Sequence, residues 1–391
     1  MNKVEKTPLS MRKHIAVMGK TNAGKSTLFN RLLGQDTAIV SDSPGTTTDP
    51  VTKAMELIPY GPVALIDTAG FGDETELGKM RMDKTEKLKT RADLILYLVS
   101  VEDEDVPKLP KEPESLLVFT KCETVNHEEL EKKKKLYPDA IFLANHGEDG
   151  LDDLKKKMIT ILESQEKEAE TLLGDLLPAG STVVLVTPID SAAPKGRLIL
   201  PQVQLLRDCL DHNIKAYVTK ETTLKSALED LKKVDLVVTD SQVFSLVDGI
   251  VPKEIPLTSF SMLLARQKGN FQQYLQGAEK IAKLKTGDKI LVLEGCTHNS
   301  THEDIGRVKL PAMIEKKTGA KCDYTFMTGY QFPEDLGEYA LVLSCGMCMI
   351  NRQEVKSRME KMAEEDVPVV NYGVAIAALS GILDRAKEIF A

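Results

Sequence analysis

Short runs rich in Val, Ile and Leu alternate along this chain with stretches whose apolar positions recur every three or four residues. Up to about Leu162 the apolar runs are HIAVMG, VALIDT, LILYLVSV, LLVFTK and IFLAN, with KSTLFNRLL and charged amphipathic segments between them. Continuous β-branched runs separated by helical periodicity are the mark of parallel strands buried on both faces and joined by helical crossovers. The pattern therefore predicts a doubly wound, mostly parallel α/β domain over residues 1–170. Its last helix lies in LDDLKKKMITILESQEKEAETLLGDLLPAG, and Pro178 and Gly180 break that segment into a helix and a linker.

A second set of the same kind runs through TVVLVTPID, QVQLLRDCLDH, KAYVTK, LKSALEDL, DLVVTDS and PLTSFSMLLA, and predicts a smaller α/β domain over residues 180–268. A third set begins with NFQQYLQGAEKIAKLK and continues through DKILVLEG, CDYTFMTG, YALVLSCG and VPVVNYG to VAIAALSGILDRAKEIF, predicting a parallel-sheet domain over residues 269–391. The expected architecture is three α/β domains in series. The run from Lys132 to Lys135 reads as a solvated helix face.

Composition narrows the class. With 391 residues, 42% hydrophobic and 28% charged, the chain is long enough to bury several cores and is not of disordered type. A formal charge of −8 and the absence of Trp argue against a broad nucleic-acid surface, so no nucleic-acid partner is expected. No apolar run approaches the roughly 18 residues of a membrane span. MNKVEKTPLSMRKHIAVMG lacks a cleavable signal layout, and a cytoplasmic location is expected. In a reducing compartment the six cysteines are read as thiols or metal ligands.

Gly19-Lys20-Thr21-Asn22-Ala23-Gly24-Lys25-Ser26 fits the G-x-x-x-x-G-K-S phosphate loop and stands between a strand, IAVM, and a helix, STLFNRLL. The glycines allow backbone N–H groups to turn toward phosphates at a helix N-terminus. Lys25 supplies a point charge to the β and γ groups, and the Ser26 hydroxyl, followed by Thr27, is set to ligate Mg²⁺. Gly45-Thr46-Thr47-Thr48-Asp49 resembles the first switch of the translation-factor-related GTPases, in which the position of Thr47 ligates Mg²⁺. Asp67-Thr68-Ala69-Gly70 ends the strand VALIDT; Asp67 is expected to hold Mg²⁺ through water and the Gly70 N–H to sense the γ-phosphate.

The base-recognition motif N-K-x-D is replaced by Thr120-Lys121-Cys122-Glu123. Glu123 can still accept from the N1 and N2 donors of guanine, so GTP and GDP are the expected nucleotides. The usual S-A-K element is missing, and Ala144-Asn145 is its nearest counterpart. Phe71 stands where many GTPases carry a water-positioning Gln, which predicts slow turnover. Asn22 resembles the loop Asn of potassium-dependent GTPases, where it helps seat K⁺. The other reading is a loop Asn bonding its own backbone.

Cys296-Thr297-His298 follows KILVLEG, and Ser344-Cys345-Gly346-Met347-Cys348 follows ALVLS. If both strands are parallel members of one sheet, their carboxyl ends share an edge, and the three sulfurs converge there. Cys322 opens its strand and belongs at the opposite edge, roughly 20 Å away. Cys209 and Cys122 read as packing residues. Structural zinc prefers four protein ligands and a cubane iron–sulfur cluster can use four, so three thiolates leave one position exchangeable. His298 is either that fourth ligand or a hydrogen-bond donor to one. The radical-SAM pattern C-x-x-x-C-x-x-C does not occur.

Together these features resemble the HydF family of FeFe-hydrogenase maturation GTPases over essentially the whole chain. Pro188 to Asp190, Ala193 to Ile199, Pro201 to Val203, Glu294 to His298 and Asn371-Tyr372-Gly373 carry the likeness. The family commonly has His before C-x-x-C; here Ser344 takes that position. The resemblance implies a 4Fe-4S cluster on Cys296, Cys345 and Cys348 and a role as scaffold or carrier of a di-iron precursor. Two radical-SAM maturases are the implied donors and apo-hydrogenase the recipient. It also implies a homodimer through the middle domain, with dimer against tetramer left open. Asp190, Lys195 and Arg197 in that domain offer either an anion site or ion pairs within a turn. Two other readings fit the residues: a tRNA- or ribosome-associated GTPase with structural zinc, and a GTPase-coupled redox sensor.

Overall fold

The computed structural model of the protein describes residues 7–34, 51–67, 88–110, 112–145, 150–167, 171–189, 198–295 and 305–391. The chain divides into two compact units, Met1–Ala169 and Glu170–Ala391.

In the first unit a six-stranded sheet is built from β1 (Lys13–Gly19), β2 (Val51–Leu57), β3 (Gly61–Asp67), β4 (Leu94–Ser100), β5 (Glu114–Thr120) and β6 (Ile141–Phe142), in the order β2-β3-β1-β4-β5-β6. All neighbours are parallel except β2 and β3, which pair antiparallel from Val51 opposite Asp67 to Leu57 opposite Gly61. The expected mostly parallel sheet is present, and β2 is the strand that the apolar runs do not announce. Central β1 is buried from His14 through Gly19, as a strand covered on both faces must be. Helices α1 (Lys25–Gly34), α2 (His127–Leu136) and α3 (Leu151–Lys167) complete this unit among the described residues. Asn126 caps α2 by accepting from the Glu129 N–H at 3.0 Å. Leu28 and Leu32 of α1, Leu154 and Met158 of α3, and Val17, Leu65 and Leu96 of the sheet form one apolar core.

The second unit contains two four-stranded, all-parallel sheets. One comprises β7 (Thr182–Val186), β8 (Lys215–Thr219), β9 (Leu236–Thr239) and β10 (Leu257–Ser259), ordered β10-β9-β7-β8. The other comprises β11 (Lys289–Glu294), β12 (Asp323–Thr328), β13 (Leu341–Ser344) and β14 (Val369–Asn371), ordered β12-β11-β13-β14. Each sheet thus has its first strand between its second and third. That order makes a topological switch point at the carboxyl ends of the first and third strands.

Nine helices serve these sheets among the described residues: α4 (Leu200–Asp211), α5 (Leu224–Asp230), α6 (Phe244–Ile250), α7 (Phe260–Lys268), α8 (Phe271–Ile281), α9 (Leu310–Thr318), α10 (Arg352–Glu364), α11 (Tyr372–Leu379) and α12 (Leu383–Lys387). Ser259 and Asn270 cap α7 and α8 by accepting from the Met262 and Gln273 N–H groups. The terminal segment VAIAALSGILDRAKEIF is divided at Gly381 (φ +75°) into α11 and α12. The two sheets share one interior, because Val184 and Val237 of the first belong to the same buried cluster as Ile290, Val342 and Val370 of the second. No helix among the described residues is long and apolar enough to cross a membrane.

Candidate functional sites

The phosphate loop leaves β1 between β3 and β4, at the switch point of the first sheet. Gly19 has φ +149°, and a Cβ there would lie 2.4 Å from the Leu98 carbonyl oxygen, so only glycine lets the loop begin this close to β4. Asn22 and Gly24 follow with φ +64° and +84°. Alternation of this kind turns successive amides toward one side of a loop. Ala23 is buried, and Lys25 opens α1, with Ser26 and Thr27 in its first turn. The buried Lys25 ammonium donates to the carbonyls of Gly19 (3.0 Å) and Lys20 (2.7 Å), which closes the loop over its own strand. Burial lowers the pKa of Lys25, and Asp67 at the end of β3 opposes that shift; burial likewise raises Asp67, and Lys25 opposes it. A cation and a carboxylate therefore flank the loop. These residues suit a magnesium-bound phosphate chain. Thr47 and Gly70 lie outside the described residues, as do the rest of the segment from Gly45 to Asp49 and Phe71.

At the end of β5, Thr120 is buried and its hydroxyl donates to Ala23 O at 2.9 Å. The residue that replaces the motif's Asn thus still ties the base loop to the phosphate loop. Lys121 is left-handed (φ +58°) and starts a short turn, Cys122–Thr124. Glu123 Oε2 accepts from the Asn145 N–H at 3.1 Å, joining the two segments expected to meet the base. One bond leaves the carboxylate with further acceptor capacity. The Cys122 N–H donates to Leu143 O at 3.1 Å, and burial pushes the Cys122 thiol up to about 11, as befits a packing residue. In the lysine run, Lys132, Lys134 and Lys135 are exposed, but Lys133 departs from the expected solvated face: its ammonium bonds the carbonyls of Val101 and Asp103 and lies 5.0 Å from the Phe119 ring centroid.

In the second unit, β11 and β13 pair in parallel from Ile290 opposite Leu341 to Leu293 opposite Ser344, so their carboxyl ends share one edge. The Cys345 sulfur there accepts two backbone N–H groups, from Gly295 at 3.0 Å and from Met347 at 3.3 Å. Two backbone donors thus converge on this sulfur. Gly295 packs closely on the loop, since a Cβ on it would stand 3.1 Å from the Met347 Cα. Met347 is left-handed (φ +48°) and turns the loop back so that Cys348 follows. Burial raises the pKa of the Cys348 thiol, and Lys268 opposes the shift. Cys296, Thr297 and His298 lie outside the described residues. Among the described residues no three His, Cys, Asp or Glu groups gather to hold a metal. The described donors at this rim are therefore Cys345 and Cys348, whose paired thiols and N–H support suit a thiophilic metal or an iron–sulfur cluster.

The other cysteines stand apart from this rim. Cys322 directly precedes β12, and its thiol faces Lys285 O at 3.7 Å, at the amino-terminal end of the sheet. Cys209 is fully buried among apolar residues, and burial pushes it up to about 11. Asp190, Lys195 and Arg197 lie outside the described residues.

Two residues that bear on the loop were not singled out for it by their sequence. Asn371, fully buried, donates from Nδ2 to the carbonyls of Ser344 (3.4 Å) and Cys345 (3.3 Å). Its Oδ1 accepts from Ser261 Oγ (2.9 Å) and Gly373 N–H (2.8 Å). This gives the Asn371-Tyr372-Gly373 segment a physical task. Lys268, the last residue of α7, sends its buried ammonium to the carbonyls of Met347 (3.0 Å), Cys348 (3.4 Å) and Ile350 (2.9 Å). Burial pulls the Lys268 pKa down to about 8. Nothing in a helix-ending R-Q-K marks such a role, because it arises from contacts about eighty residues away. Ser344 is buried and hydrogen-bonds the buried Tyr274 hydroxyl.

Both units of the chain match known families. Residues 14–134 match a 50S ribosome-binding GTPase domain. Among relatives, the tRNA modification GTPase MnmE of Carboxydothermus hydrogenoformans is 36% identical over 169 residues, which is 40% of this chain and 36% of the relative. That of Moorella thermoacetica is 32% identical over 229 residues, 57% of this chain and 45% of the relative. The chain thus spans less than half the length of these curated relatives. Among solved structures, the G domain of the T. maritima FeoB iron transporter covers 39% of this chain and 99% of its own at 23% identity, with a TM-score of 0.29. Aquifex aeolicus Era covers 38% of this chain and 56% of its own at 22% identity and a TM-score of 0.30. Behind the GTPase domain, residues 172–269 match the hydrogen maturase F dimerization domain and residues 272–389 the hydrogen maturase F tetramerization domain. These two matches together take in more than half of the chain, including the rim at Cys345 and Cys348, and with the GTPase domain in front of them the chain belongs to the hydrogen maturase F family.

Proposed function

We propose that the protein is a GTP-hydrolysing scaffold that carries a 4Fe-4S cluster on Cys296, Cys345 and Cys348 and delivers a di-iron precursor to apo-FeFe-hydrogenase. The carrying observation is the 3.0 Å bond from the Gly295 N–H to the Cys345 sulfur. It brings the backbone that leads directly into Cys296 against the C-x-x-C loop, in a chain of the hydrogen maturase F family.

Cys296, Cys345 and Cys348 would hold such a cluster, which when bound would supply iron able to accept a ligand from the precursor. The chain's part is to bind and orient: Gly295 and Met347 direct N–H groups at Cys345, and Asn371 holds the carbonyls of Ser344 and Cys345. His298 is the fourth ligand or a hydrogen-bond donor to one. Two radical-SAM maturases donate the precursor, and the middle domain, residues 180–268, joins copies of the chain.

In the GTPase domain, Lys25 neutralises charge on the β and γ phosphates, Ser26 and Thr47 hold Mg²⁺, Asp67 holds it through water, and Gly70 senses the γ-phosphate. Asn22 assists K⁺, and turnover is slow. The GTP state changes the exposure of the cluster or the affinity for a maturase; equal affinities with a GTP analogue and with GDP would remove the coupling to the partner.

Anaerobic purification with iron, sulfide and zinc analysis tests the cluster. Iron and sulfide lost in Cys345→Ser, Cys348→Ser and Cys296→Ser variants support it. Zinc in the wild-type protein favours the rival reading suggested by the tRNA modification relatives. Activation of apo-hydrogenase by the loaded protein, and its failure with the serine variants, tests delivery. Hydrolysis compared in K⁺ and Na⁺ tests the role of Asn22.

A further inference from the structure

A lysine ammonium buried in protein is costly unless an anion or several hydrogen-bond acceptors compensate it. Lys268 is 7% exposed, and its partners are three carbonyls of one loop, those of Met347, Cys348 and Ile350. No carboxylate pairs with it among the described residues. One of these acceptors is the carbonyl of Cys348 itself, so the ammonium lies against the cysteine loop. The lysine belongs to α7, within the stretch that matches the dimerization domain, whereas the loop belongs to the stretch that matches the tetramerization domain. Ser261, at the other end of the same helix, bonds the Asn371 that holds the Cys345 carbonyl.

We propose that Lys268 is the built-in counter-charge of the cysteine rim: it fixes the Met347–Ile350 turn from behind and offsets the negative charge of whatever the thiolates bind. The proposal rests on the reading that this rim holds an iron–sulfur cluster. It makes Lys268 a positioning residue with an electrostatic task. A carbonyl-only role would require donors; a counter-charge role requires the charge itself.

Two variants separate these. Lys268→Gln keeps an amide donor and removes the charge, whereas Lys268→Arg keeps both. Each full-length protein is loaded anaerobically with ferrous iron and sulfide, and its cluster is titrated with a reductant and followed by electron paramagnetic resonance. A fixed positive charge favours the reduced, more negative cluster. The Gln variant is therefore expected to shift the oxidised-to-reduced ratio at a set potential by roughly tenfold toward oxidised, the scale of one charge in a protein interior. The Arg variant is expected to match the wild type. A Gln variant that loads and titrates like the wild type overturns the proposal, as does an Arg variant shifted as far as Gln. Should the Gln protein fail to fold, Lys268→Asn, likewise an uncharged amide donor, takes its place in the same titration with the same two outcomes. If the wild type takes up no cluster, or keeps it after Cys345→Ser and Cys348→Ser, the cluster reading falls first and this inference with it.

Discussion

The backbone N–H of Gly295 points at the sulfur of Cys345 from 3.0 Å, across the seam between the carboxyl ends of β11 and β13. Two strands whose residues are fifty positions apart thereby present one donor and one acceptor at a single rim. A Gly295→Ala change sets a methyl group 3.1 Å from the Met347 Cα, and the neighbouring loop must give by a few tenths of an ångström. Iron content of the anaerobically loaded variant is expected to fall severalfold while the circular dichroism stays that of the wild type. Full iron retention would show that this contact does not shape the site.

Asn371 holds the same rim from below. Asn371→Ala removes both donors to Ser344 O and Cys345 O and leaves the Gly373 N–H without its acceptor. The expected loss is about 1–3 kcal/mol in urea denaturation, the scale of orphaned buried groups, together with faster loss of iron to a chelator.

In the GTPase domain, Lys25→Ala is expected to lower phosphate release by on the order of 10²-fold or more, the scale of removing one group that stabilises developing charge. Nucleotide turnover measured at saturating GTP checks this, and an unchanged rate would exclude Lys25 from the site.

Thr120 and Glu123 separate loop tethering from base choice. Thr120→Val deletes the donor to Ala23 O without changing shape, with an expected cost of about 1–3 kcal/mol in denaturant titration. Glu123→Ala removes the acceptor for Asn145 N–H and for the base, and the ratio of GTP to ATP affinity is expected to fall about tenfold. Equal discrimination by the variant and the wild type would assign base choice elsewhere.

Acid sensitivity should trace partly to His14. Its ring is buried and Nε2 meets Leu9 O at 3.1 Å; burial lowers its pKa, with Asp93 and the Leu9 carbonyl opposing the shift. The unfolded chain takes up a proton near the ordinary value of 6.5 while the folded chain does so only at lower pH. Stability from the neutral ring is thus complete above 6.5 and is lost as pH falls toward the folded value. In a His14→Leu variant, the drop in urea midpoint between about pH 7 and about pH 5 is expected to be smaller than in the wild type.

The phosphate loop and the strand–rim geometry were legible because their signals are local. Gly19 to Ser26 lies within one turn between a strand and a helix, and β1, β4, β11 and β13 are unbroken apolar runs. Strand β2, VTKAMEL, mixes Thr, Lys and Glu into an edge position and carries little such signal. Strand β6 is only two residues long. Gly381 divides a terminal segment whose apolar periodicity reads as continuous. Lys133 looked like part of a solvated run because only its neighbours' carbonyls, in a different loop, give it a partner. Asn371 and Lys268 owe their tasks to tertiary neighbours, so residue type alone could not announce them.

The shared interior of the two four-stranded sheets has a mechanical result. Val184 and Val342 lie in one buried cluster, so among the described residues the middle sheet and the sheet of the cysteine rim share a core. Heat is therefore expected to melt both sheets in one calorimetric peak, and two separate peaks would show that the shared core does not couple them.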